Sequence, residues 1–367
     1  MPITCNPSKK YYCCFFASCI LLLTGCNMNV EMPEIKTITE DNLHGVIVPD
    51  EKHIWITGNF GAIFHSNDGG KSWEKQDAGG ENFLISDGSF IDSKQGWLAG
   101  TRGTILHTNS AGKKWEKQNS GTNINLFDIS FVDAQNGWAV GEWNTILHTK
   151  NGGKTWARQT AKADQMLNSL FFVDRDYGWV IGERGLILHT KNGGKTWEVQ
   201  LPSLFEREDE EDLLFNPPNS LFGIFFTDRK NGWICGIEGV ILRTDDGGKT
   251  WQEQQSSTTN TLYTVFVKYN RGWIVGDRGT SIISEDGGST WELQQDVIKS
   301  KWPFRDVFFT SAENGWAVGI AGSVIHSANG GQTWEFRSGI SYAMDFFDMP
   351  KFLEWRSLPD FGPFAKE

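Results

Sequence analysis

The chain contains 367 residues and carries a formal net charge of −11, with 39% hydrophobic residues. This acidic balance argues against a nucleic-acid-binding protein, because phosphate recognition depends on clustered lysine and arginine side chains. The composition also includes 17 tryptophans, and their spacing organises most of the chain.

Residues 1–25 are predicted to form a lipoprotein signal peptide. Two lysines precede an apolar stretch from Tyr11 to Leu23, which is typical of a signal peptide and too short to span a bilayer comfortably. The stretch leads into L-T-G-C, a match to the bacterial lipobox. This motif predicts cleavage before Cys26, acylation of its sulfur, and a lipidated tether over residues 26–41.

The lipobox also predicts where the protein resides. An acylated Cys26 anchors an exported protein to a lipid bilayer, at the periplasmic face in a bacterium. Asn27 follows the lipidated cysteine, and by analogy with other lipoproteins this favours the outer membrane over the inner one. In a photosynthetic host, the corresponding location is the thylakoid lumen.

Seven repeats of roughly 41 residues occupy positions 42–337. Each repeat contains two tryptophans 18 residues apart, and self-similarity at a fixed period of this length predicts a repeat architecture. The repeat length is nearly constant except between the fourth and fifth copies, where an insertion covers residues 201–220. The pairs are Trp55/Trp73, Trp97/Trp115, Trp138/Trp156, Trp179/Trp197, Trp233/Trp251, Trp273/Trp291 and Trp316/Trp334.

The third repeat shows what each unit builds. Leu126 to Val132 alternates in polarity and is rich in β-branched and aromatic residues, as expected for a strand. Turn signals at Asn136-Gly137 and Asn151-Gly152 help to delimit three further short strands. Four short antiparallel strands per repeat predict an all-β fold, a seven-bladed β-propeller with four-stranded antiparallel blades. We expect this closed ring to be monomeric.

The predicted hairpin between strands three and four carries a recurrent motif. It reads S-N-D-G-G-K-S-W from Ser66 to Trp73, and copies follow in every repeat, with a degenerate one from Thr108 to Trp115. The motif resembles the Asp-box, or BNR repeat, in which a capping side chain and glycines at positive φ shape the turn. Several copies carry Asn, so no metal is expected. The predicted structural Asp-box residues are Asp68, Asn151, Asn192, Asp246, Asp286 and Asn329.

The turns between strands two and three share one face of the predicted propeller, opposite the Asp-box hairpins. Their residues vary between blades, and variable loops on a rigid frame carry binding. Arginine and aromatic side chains suit an interface, although solvated turn residues are an equal alternative. The insertion at 201–220 leaves from this face and is either a loop that orders on a partner or a tolerated insertion. The candidate partner-binding residues are Phe60, Arg102, Trp143, Arg184 and Arg278 from the turns, with Phe205 and Phe215 from the insertion.

Residues 338–367 follow the last repeat and form an aromatic tail. A freely exposed tail of this composition would be prone to aggregation. We therefore expect it to pack across the propeller or into a partner. Its aromatic residues are Tyr342, Phe346, Phe347, Phe352, Trp355, Phe361 and Phe364.

Glycosidases such as sialidases and xyloglucanases also carry Asp-boxes. The chain lacks the early Arg-Ile-Pro-type segment that a sialidase would need. A glycosidase with two catalytic carboxylates places them about 5–10 Å apart, and Asp87, Asp128 and Asp306 lie on predicted first strands near the central channel. Their equivalent positions in the repeats favour a structural role. A glycan-binding or glycan-cleaving propeller is therefore the alternative hypothesis.

A longer stretch of each repeat resembles a known family. The run L-F-D-I-S-F-V-D-A-Q-N-G-W-A-V-G, followed by I-L-H-T and N-G-G-K-T-W, is similar to the photosystem II assembly and stability factor family of seven-bladed propellers, over about residues 42–337. That family includes exported bacterial lipoproteins. The resemblance implies a non-enzymatic scaffold without a cofactor, which binds a membrane or envelope protein complex. Arg102, Arg184 and Arg278 resemble part of the family's arginine-rich patch, whereas Glu142 and the acidic insertion depart from it.

Overall fold

The computed structural model describes residues 37–80, 83–161, 163–200 and 219–339. The predicted signal peptide, Cys26, Phe205, Phe215 and the tail after Gly339 lie outside these ranges. Within the described ranges, no helix is long and apolar enough to cross a membrane.

The described residues form seven antiparallel sheets of four strands each, which confirms the predicted seven-bladed β-propeller. Each blade uses four consecutive strands. Blade 1 comprises β1 Leu43–Ile47, β2 Ile54–Gly58, β3 Ile63–Ser66 and β4 Glu74–Lys75, and blade 2 comprises β5 Ile85–Phe90, β6 Gly96–Gly100, β7 Thr104–Thr108 and β8 Glu116–Gln118. Blade 3 comprises β9 Leu126–Phe131, β10 Gly137–Gly141, β11 Thr145–Thr149 and β12 Ala157–Gln159. Blade 4 comprises β13 Leu167–Phe172, β14 Gly178–Gly182, β15 Ile187–Thr190 and β16 Glu198–Gln200. Blade 5 comprises β17 Leu221–Phe226, β18 Gly232–Gly236, β19 Ile241–Thr244 and β20 Gln252–Gln254. Blade 6 comprises β21 Leu262–Lys268, β22 Arg271–Gly276, β23 Ser281–Ser284 and β24 Glu292–Gln294, and blade 7 comprises β25 Phe304–Phe309, β26 Gly315–Gly319, β27 Val324–Ser327 and β28 Glu335–Ser338.

The first strands of the blades close the ring. Each first strand contacts the first strands of both neighbouring blades, and β25 contacts β1 in turn. Every blade consists of four consecutive strands, so no blade combines strands from both ends of the chain. The ring is therefore closed by contacts between blade 7 and blade 1. Across this last seam, the backbone N–H of Val46 donates to Asp306 Oδ2 at 2.8 Å, and the N–H of Gly322 donates to the carbonyl of Asp41 at 2.9 Å.

Aromatic stacking holds most of the neighbouring blades together. In five of the seven seams, the first tryptophan of one blade stacks on the phenylalanine that ends the first strand of the next, with ring centroids 3.6–4.1 Å apart. The second tryptophan of that next blade then meets the same phenylalanine edge-on. Such stacked and edge-on pairs stabilise beyond the area they bury. The stacked pairs are Trp55/Phe90, Trp97/Phe131, Trp138/Phe172, Trp179/Phe226 and Trp273/Phe309.

Hydrogen bonds across the seams satisfy the indole nitrogens of five first tryptophans. The indole N–H of Trp138, for example, donates to the carbonyl of Gly193 in the Asp-box turn of the next blade, at 3.3 Å. The Gln159 amide, on the fourth strand of the tryptophan's own blade, donates to the same carbonyl at 2.8 Å. Each Asp-box turn that makes this contact therefore fastens its blade to the preceding one. The same indole contact is made by Trp97 to Gly152, Trp179 to Gly247, Trp233 to Gly288 and Trp273 to Gly330.

A histidine on the third strand covers the other face of the first tryptophan in five blades. His148 stacks on Trp138 with ring centroids 4.5 Å apart, and its Nδ1 accepts a hydrogen bond from Gln159 at 3.2 Å. Burial lowers the pKa of His148 to about 4, because the charged ring would lose water contacts. The pKa values of the four equivalent histidines, His65, His107, His189 and His326, are lowered for the same primary reason.

Replacing a stacked phenylalanine tests the seam. Phe172→Val should lower the free energy of unfolding by about 2 kcal/mol, because a ring buried against Trp138 is lost. Chemical denaturation followed by circular dichroism measures this change. Val199→Ala, at an apolar residue that is 54% exposed, is the control and should change stability by less than about 0.5 kcal/mol. Equal effects of the two substitutions would contradict a special role for the stack.

The histidines should make the fold sensitive to acid. Their pKa is lowered in the folded state, so the unfolded chain binds more protons as the pH falls from 6.5 towards 4, and stability is lost over that range. His148→Ile removes one such group while using the residue found at the equivalent position of blade 6, Ile283. Thermal melts between pH 7 and pH 4 should show a smaller loss of melting temperature for His148→Ile than for the unmodified chain. A larger loss would contradict the assignment.

Candidate functional site

The turns between strands two and three form a ring of seven tips on one face, which we call the turn face. In every blade the tip residue adopts a left-handed backbone conformation, with φ between 52° and 59°. This region is disfavoured for residues other than glycine, and its occupation at equivalent sites is associated with function. The tips are Phe60, Arg102, Trp143, Arg184, Glu238, Arg278 and Ala321.

The predicted turn residues Phe60, Arg102, Trp143, Arg184 and Arg278 all lie on the turn face and are exposed. Trp143 is 70% exposed, the largest value among the exposed large hydrophobic residues of the described chain. Hydrogen bonds hold the backbone of these tips in position. The N–H of Arg102 donates to Asn125 Oδ1 at 2.9 Å, and Arg158 donates to the carbonyl of Trp143 at 2.9 Å.

Acidic residues lie between the arginines of the turn face. Glu142 accepts a hydrogen bond from Asn125 at 2.9 Å, and the exposed tip Glu238 accepts one from Asn219 at 3.2 Å. Asn219 lies at the end of the insertion 201–220 and is its first described residue, so this contact places the end of the insertion beside the turn face. The face therefore presents mixed charge around its aromatic side chains and not a uniformly basic patch.

A β-bulge near the start of every first strand adds side chains at the same end of the blades. The register between the first and second strands shifts at one residue in all seven blades, and such bulges redirect side chains. Sequence reasoning missed these positions, because a bulge leaves the strand pattern almost unchanged. The bulged residues are His44, Ser86, Phe127, Asn168, Phe222, Tyr263 and Arg305.

Three of the bulged residues form a polar cluster with the turns. The guanidinium of Arg305 lies 4.0 Å from the ring centroid of Tyr263, a cation–π distance. The Tyr263 hydroxyl donates to Asp277 at 2.8 Å, and His44 pairs with Asn59 at 2.9 Å. Burial raises the pKa of Tyr263 to about 12 and lowers the pKa of His44. The tyrosine is thus held neutral as a hydrogen-bond donor.

The carboxylates considered for a glycosidase face other partners. Asp128 accepts hydrogen bonds from the N–H groups of Ile129 and Leu170 and from the Ser169 hydroxyl, at 2.6–2.9 Å. Asp306 bridges blades 7 and 1 in a similar way. These contacts tie neighbouring first strands together.

Burial raises the pKa of all three channel carboxyls, to about 6 for Asp128 and about 7 for Asp306. The pKa of Asp87 is raised well above its usual range by burial and by the charges of Asp128 and Asp306. The N–H of Gly88 donates to Asp87 at 2.7 Å. Charge repulsion and desolvation therefore favour a proton on Asp87 at neutral pH.

The predicted Asp-box residues bond within their own turns. Asp68 accepts hydrogen bonds from the N–H groups of Lys71 and Ser72, at 3.0 and 2.9 Å, and from the hydroxyls of Ser66 and Ser72. Hydrogen bonding to Ser72 is the main cause that lowers the pKa of Asp68 to about 2. Asn151, Asn192, Asp246, Asp286 and Asn329 make the corresponding bonds. Among the described residues, no group of three or more acidic, histidine or cysteine side chains is placed to hold a metal ion.

Comparisons with known proteins agree with this architecture. The solved structure of YCF48 bound to a D1 peptide is 21% identical, with a TM-score of 0.65, and the match covers 80% of this chain and 94% of that one. YCF48 from Cyanidioschyzon merolae is 19% identical, with a TM-score of 0.63 and coverage of 80% and 97%. An ancestral GH74 enzyme is 13% identical, with a TM-score of 0.63 and coverage of 82% and 47%. At these identities, the likeness concerns the fold alone. A search of curated protein sequences gives no significant match.

The sequence itself matches a family model. The model of the photosynthesis system II assembly factor YCF48 matches residues 27–122, 114–204, 211–295 and 254–341. These segments include most of the chain and all seven blades. The chain therefore belongs to the YCF48 family of photosynthesis system II assembly factors, as its repeat sequence predicted.

Proposed function

We propose that this protein is a non-enzymatic, lipid-anchored scaffold that binds a segment of a membrane-protein partner on its turn face. The observation that carries the proposal is the set of large side chains held at positive φ at the turn tips, with Trp143 70% exposed. At 70% exposure, the Trp143 side chain contributes little to packing within the propeller. Arginine and aromatic side chains of this kind supply much of the energy at protein interfaces.

The family indicates the class of partner. One solved relative is YCF48 bound to a D1 peptide, and by analogy this chain binds a peptide segment of a membrane or envelope complex, with photosystem II precursors as the first candidate. The mixed charge of the turn face favours a segment that contains both acidic and basic residues near an aromatic or apolar one.

The anchor follows from the N-terminal sequence. Acylation of Cys26 and the short tether would hold the propeller close to the bilayer in which its partner is assembled. The predicted locations are an outer or inner membrane in a bacterium, or the thylakoid lumen, and membrane proteins are assembled at each of them.

The channel carboxylates support a scaffold more than a glycosidase. A glycosidase needs one carboxylate available as a nucleophile or base and one as an acid. Asp128 and Asp306 accept hydrogen bonds from backbone N–H groups of adjacent blades, so their removal would first disturb the ring.

Glycine substitutions at the tips separate binding from folding. Trp143→Gly and Arg184→Gly remove the side chain but suit the left-handed backbone, so stability should stay constant or rise by about 1 kcal/mol. Affinity for the partner should fall at least tenfold, roughly the loss expected of an interface anchor. Thermal melts and binding to detergent-solubilised native membrane proteins measure the two effects.

Phe127→Ala provides the matched control, because this half-buried residue belongs to a bulge and not to a turn tip. It should weaken binding less than Trp143→Gly does. Normal partner capture by a chain that carries both glycine substitutions would overturn the assignment of the turn face. The partner itself is identified by crosslinking the full protein in native membranes, followed by mass spectrometry. Recovery of envelope polysaccharide in place of any protein would favour the glycan alternative.

The lipobox has its own test. Cys26→Ala should abolish incorporation of a labelled fatty acid and release the protein from the membrane fraction, because no sulfur is left to acylate. Cys235→Ala, which removes the buried thiol of blade 5, should leave labelling unchanged. Continued labelling of Cys26→Ala would refute the predicted anchor and leave the turn-face proposal untouched.

A further inference from the structure

The loop that joins blade 6 to blade 7, residues 295–303, differs in composition from its counterparts, and we call it the blade 6–7 loop. It contains Lys299, Lys301 and Trp302, whereas the equivalent loops of blades 2 and 5, residues 119–125 and 255–261, contain neither charged nor aromatic residues. The loop runs from β24 to β25 and therefore lies on the turn face. Loops that vary on a rigid frame are where binding residues concentrate.

Buried residues and hydrogen bonds hold the blade 6–7 loop in place. Ile298 and Ser300 are buried. The N–H of Ser300 donates to the carbonyl of Ile298 at 2.7 Å, and the N–H of Trp302 donates to the Ser300 hydroxyl at 3.0 Å. Lys299 and Lys301, which flank the buried Ser300, are exposed, and Trp302 is 40% exposed. The loop therefore presents two ammonium groups and an indole on a fixed backbone.

A shared hydroxyl contact shows which residues of blade 5 are equivalent to those of this loop. The Ser300 hydroxyl donates to the carbonyl of Trp302 at 3.4 Å, and the Ser256 hydroxyl donates to the carbonyl of Thr258 at 3.1 Å. Trp302 thus stands where blade 5 has threonine. The residue between the two partners is lysine in blade 6 and serine in blade 5, so blade 5 supplies natural replacements for the loop.

A groove with a volume of about 780 Å³ lies between the blade 6–7 loop and the turn of blade 6. Its charged lining consists of three cations, Arg278, Lys299 and Lys301, and one carboxylate, Asp296. Leu293 adds apolar surface to the lining. Arginine and lysine side chains of this kind bind phosphate groups, so the groove suits an anionic headgroup.

The described end of the predicted tether lies on the same side of the turn face. The turn of blade 7 contacts both the blade 6–7 loop and the tether. On one side, the N–H of Ile320 donates to the carbonyl of Pro303 at 3.2 Å. On the other side, the N–H of Gly322 donates to the carbonyl of Asp41 at 2.9 Å. A single turn therefore separates the tether from the loop.

The chain between the predicted anchor and this turn is short. Residues 26–36 precede the first described residue, and an extended segment of that length spans at most about 40 Å. The N–H of Ile38 donates to the Ser338 hydroxyl at 3.0 Å, which fixes the end of the tether to β28. Acylation of Cys26 would therefore keep blade 7 and the blade 6–7 loop near the bilayer, at a high effective concentration of headgroups.

We propose that the blade 6–7 loop contacts the bilayer surface, with Lys299 and Lys301 bound to the phosphates of anionic lipids and Trp302 in the interfacial layer. Tryptophan is enriched at membrane–water interfaces because its ring is apolar and its N–H is polar. Basic side chains beside a lipid anchor are attracted to anionic headgroups. The formal net charge of −11 opposes contact through the rest of the surface. This contact goes beyond partner binding, but it rests on the acylated Cys26 of the proposed function.

The lipid contact leaves the other side of the ring available to the protein partner. Blade 3, which carries Trp143 at its tip, lies three blades from blade 6 in one direction and four in the other. Contact at blades 6 and 7 therefore orients the turn face without covering Trp143. Among the candidate partner-binding residues, Arg278 also lines the groove at the blade 6–7 loop.

Hydrogen–deuterium exchange on the full protein, reconstituted in lipid vesicles, tests the contact. Residues 295–303 should exchange at least about threefold more slowly in phosphatidylcholine vesicles that contain phosphatidylglycerol than in pure phosphatidylcholine. Sodium chloride at about 0.5 M should reduce this difference, because salt screens exposed charges. The Asp-box hairpins, on the opposite face, should exchange equally in both kinds of vesicle.

Lys299→Gln/Lys301→Ser/Trp302→Thr gives the loop the corresponding residues of blade 5. This variant should keep its melting temperature, since it alters exposed side chains, and should lose the lipid-dependent slowing of exchange. Lys150→Ser/Lys154→Ser is the matched control, because it removes the same charge from an Asp-box hairpin, and it should keep the slowing. Each variant is compared with itself in the two kinds of vesicle, so changes in intrinsic exchange rate cancel.

Equal exchange of the loop in both kinds of vesicle, or slowing that persists in the triple variant, would overturn the contact. Slowing of the Asp-box hairpins instead would also overturn it, since the opposite face would then meet the bilayer. Slowing that occurs in native membranes but not in pure lipid would indicate a protein at the loop and count against lipid. A protein that floats with neither kind of vesicle would overturn the anchor and this contact together, whereas partner binding at the turn tips is measured separately in detergent.

Discussion

The contact between the first tryptophan of one blade and the next blade is the interaction on which the rest of the structure depends. Each first tryptophan is buried, stacks on a phenylalanine in five seams, and donates its indole N–H to an Asp-box carbonyl in five. A four-stranded sheet alone exposes both faces, so a blade is stable only when its neighbours cover it. The repeated glycine, glutamine and second tryptophan all serve this seam, which explains why they recur at fixed spacing.

A propeller whose blades are fixed by these contacts can hold its surface turns in backbone conformations that are unfavourable by themselves. The turn tips have positive φ, which costs free energy for any residue with a side chain. Each tip joins two strands of a blade that packs against a neighbouring blade on each face, and this packing maintains the conformation. The first-strand bulges bring further side chains to the same end, and Arg305, Tyr263 and Asp277 form a connected cluster there. The family, the exposed Trp143 and the arginines together support a scaffold that presents a rigid, varied surface to a protein segment.

At a few positions one blade carries a different residue from the equivalent positions of the other blades. The first hairpin of blade 6 is one residue shorter than that of blade 5, yet Phe266 pairs with Trp273 as Phe225 pairs with Trp233. The strand register is therefore kept, and Val267 replaces the phenylalanine that stacks in five other seams. Arg243 replaces the histidine of five other blades, and its guanidinium carbon lies 5.8 Å from the ring centroid of the buried Trp233. The three channel carboxyls likewise differ from the small residues found at that position in other blades, and two of them, Asp128 and Asp306, accept hydrogen bonds across seams.

Local sequence determined the blade number, the strand pattern and the family, because period, turn signals and alternating burial are properties of short segments that repeat seven times. It also identified the turn residues of one face, since loops joining equivalent strands must share an end of the propeller. Only the tertiary structure decided which tryptophan stacks on which phenylalanine, since those partners lie on different blades. The bulges at His44, Tyr263 and Arg305 and the positive φ of Trp143 likewise depend on how strands pair and how blades meet, and no single repeat encodes those contacts.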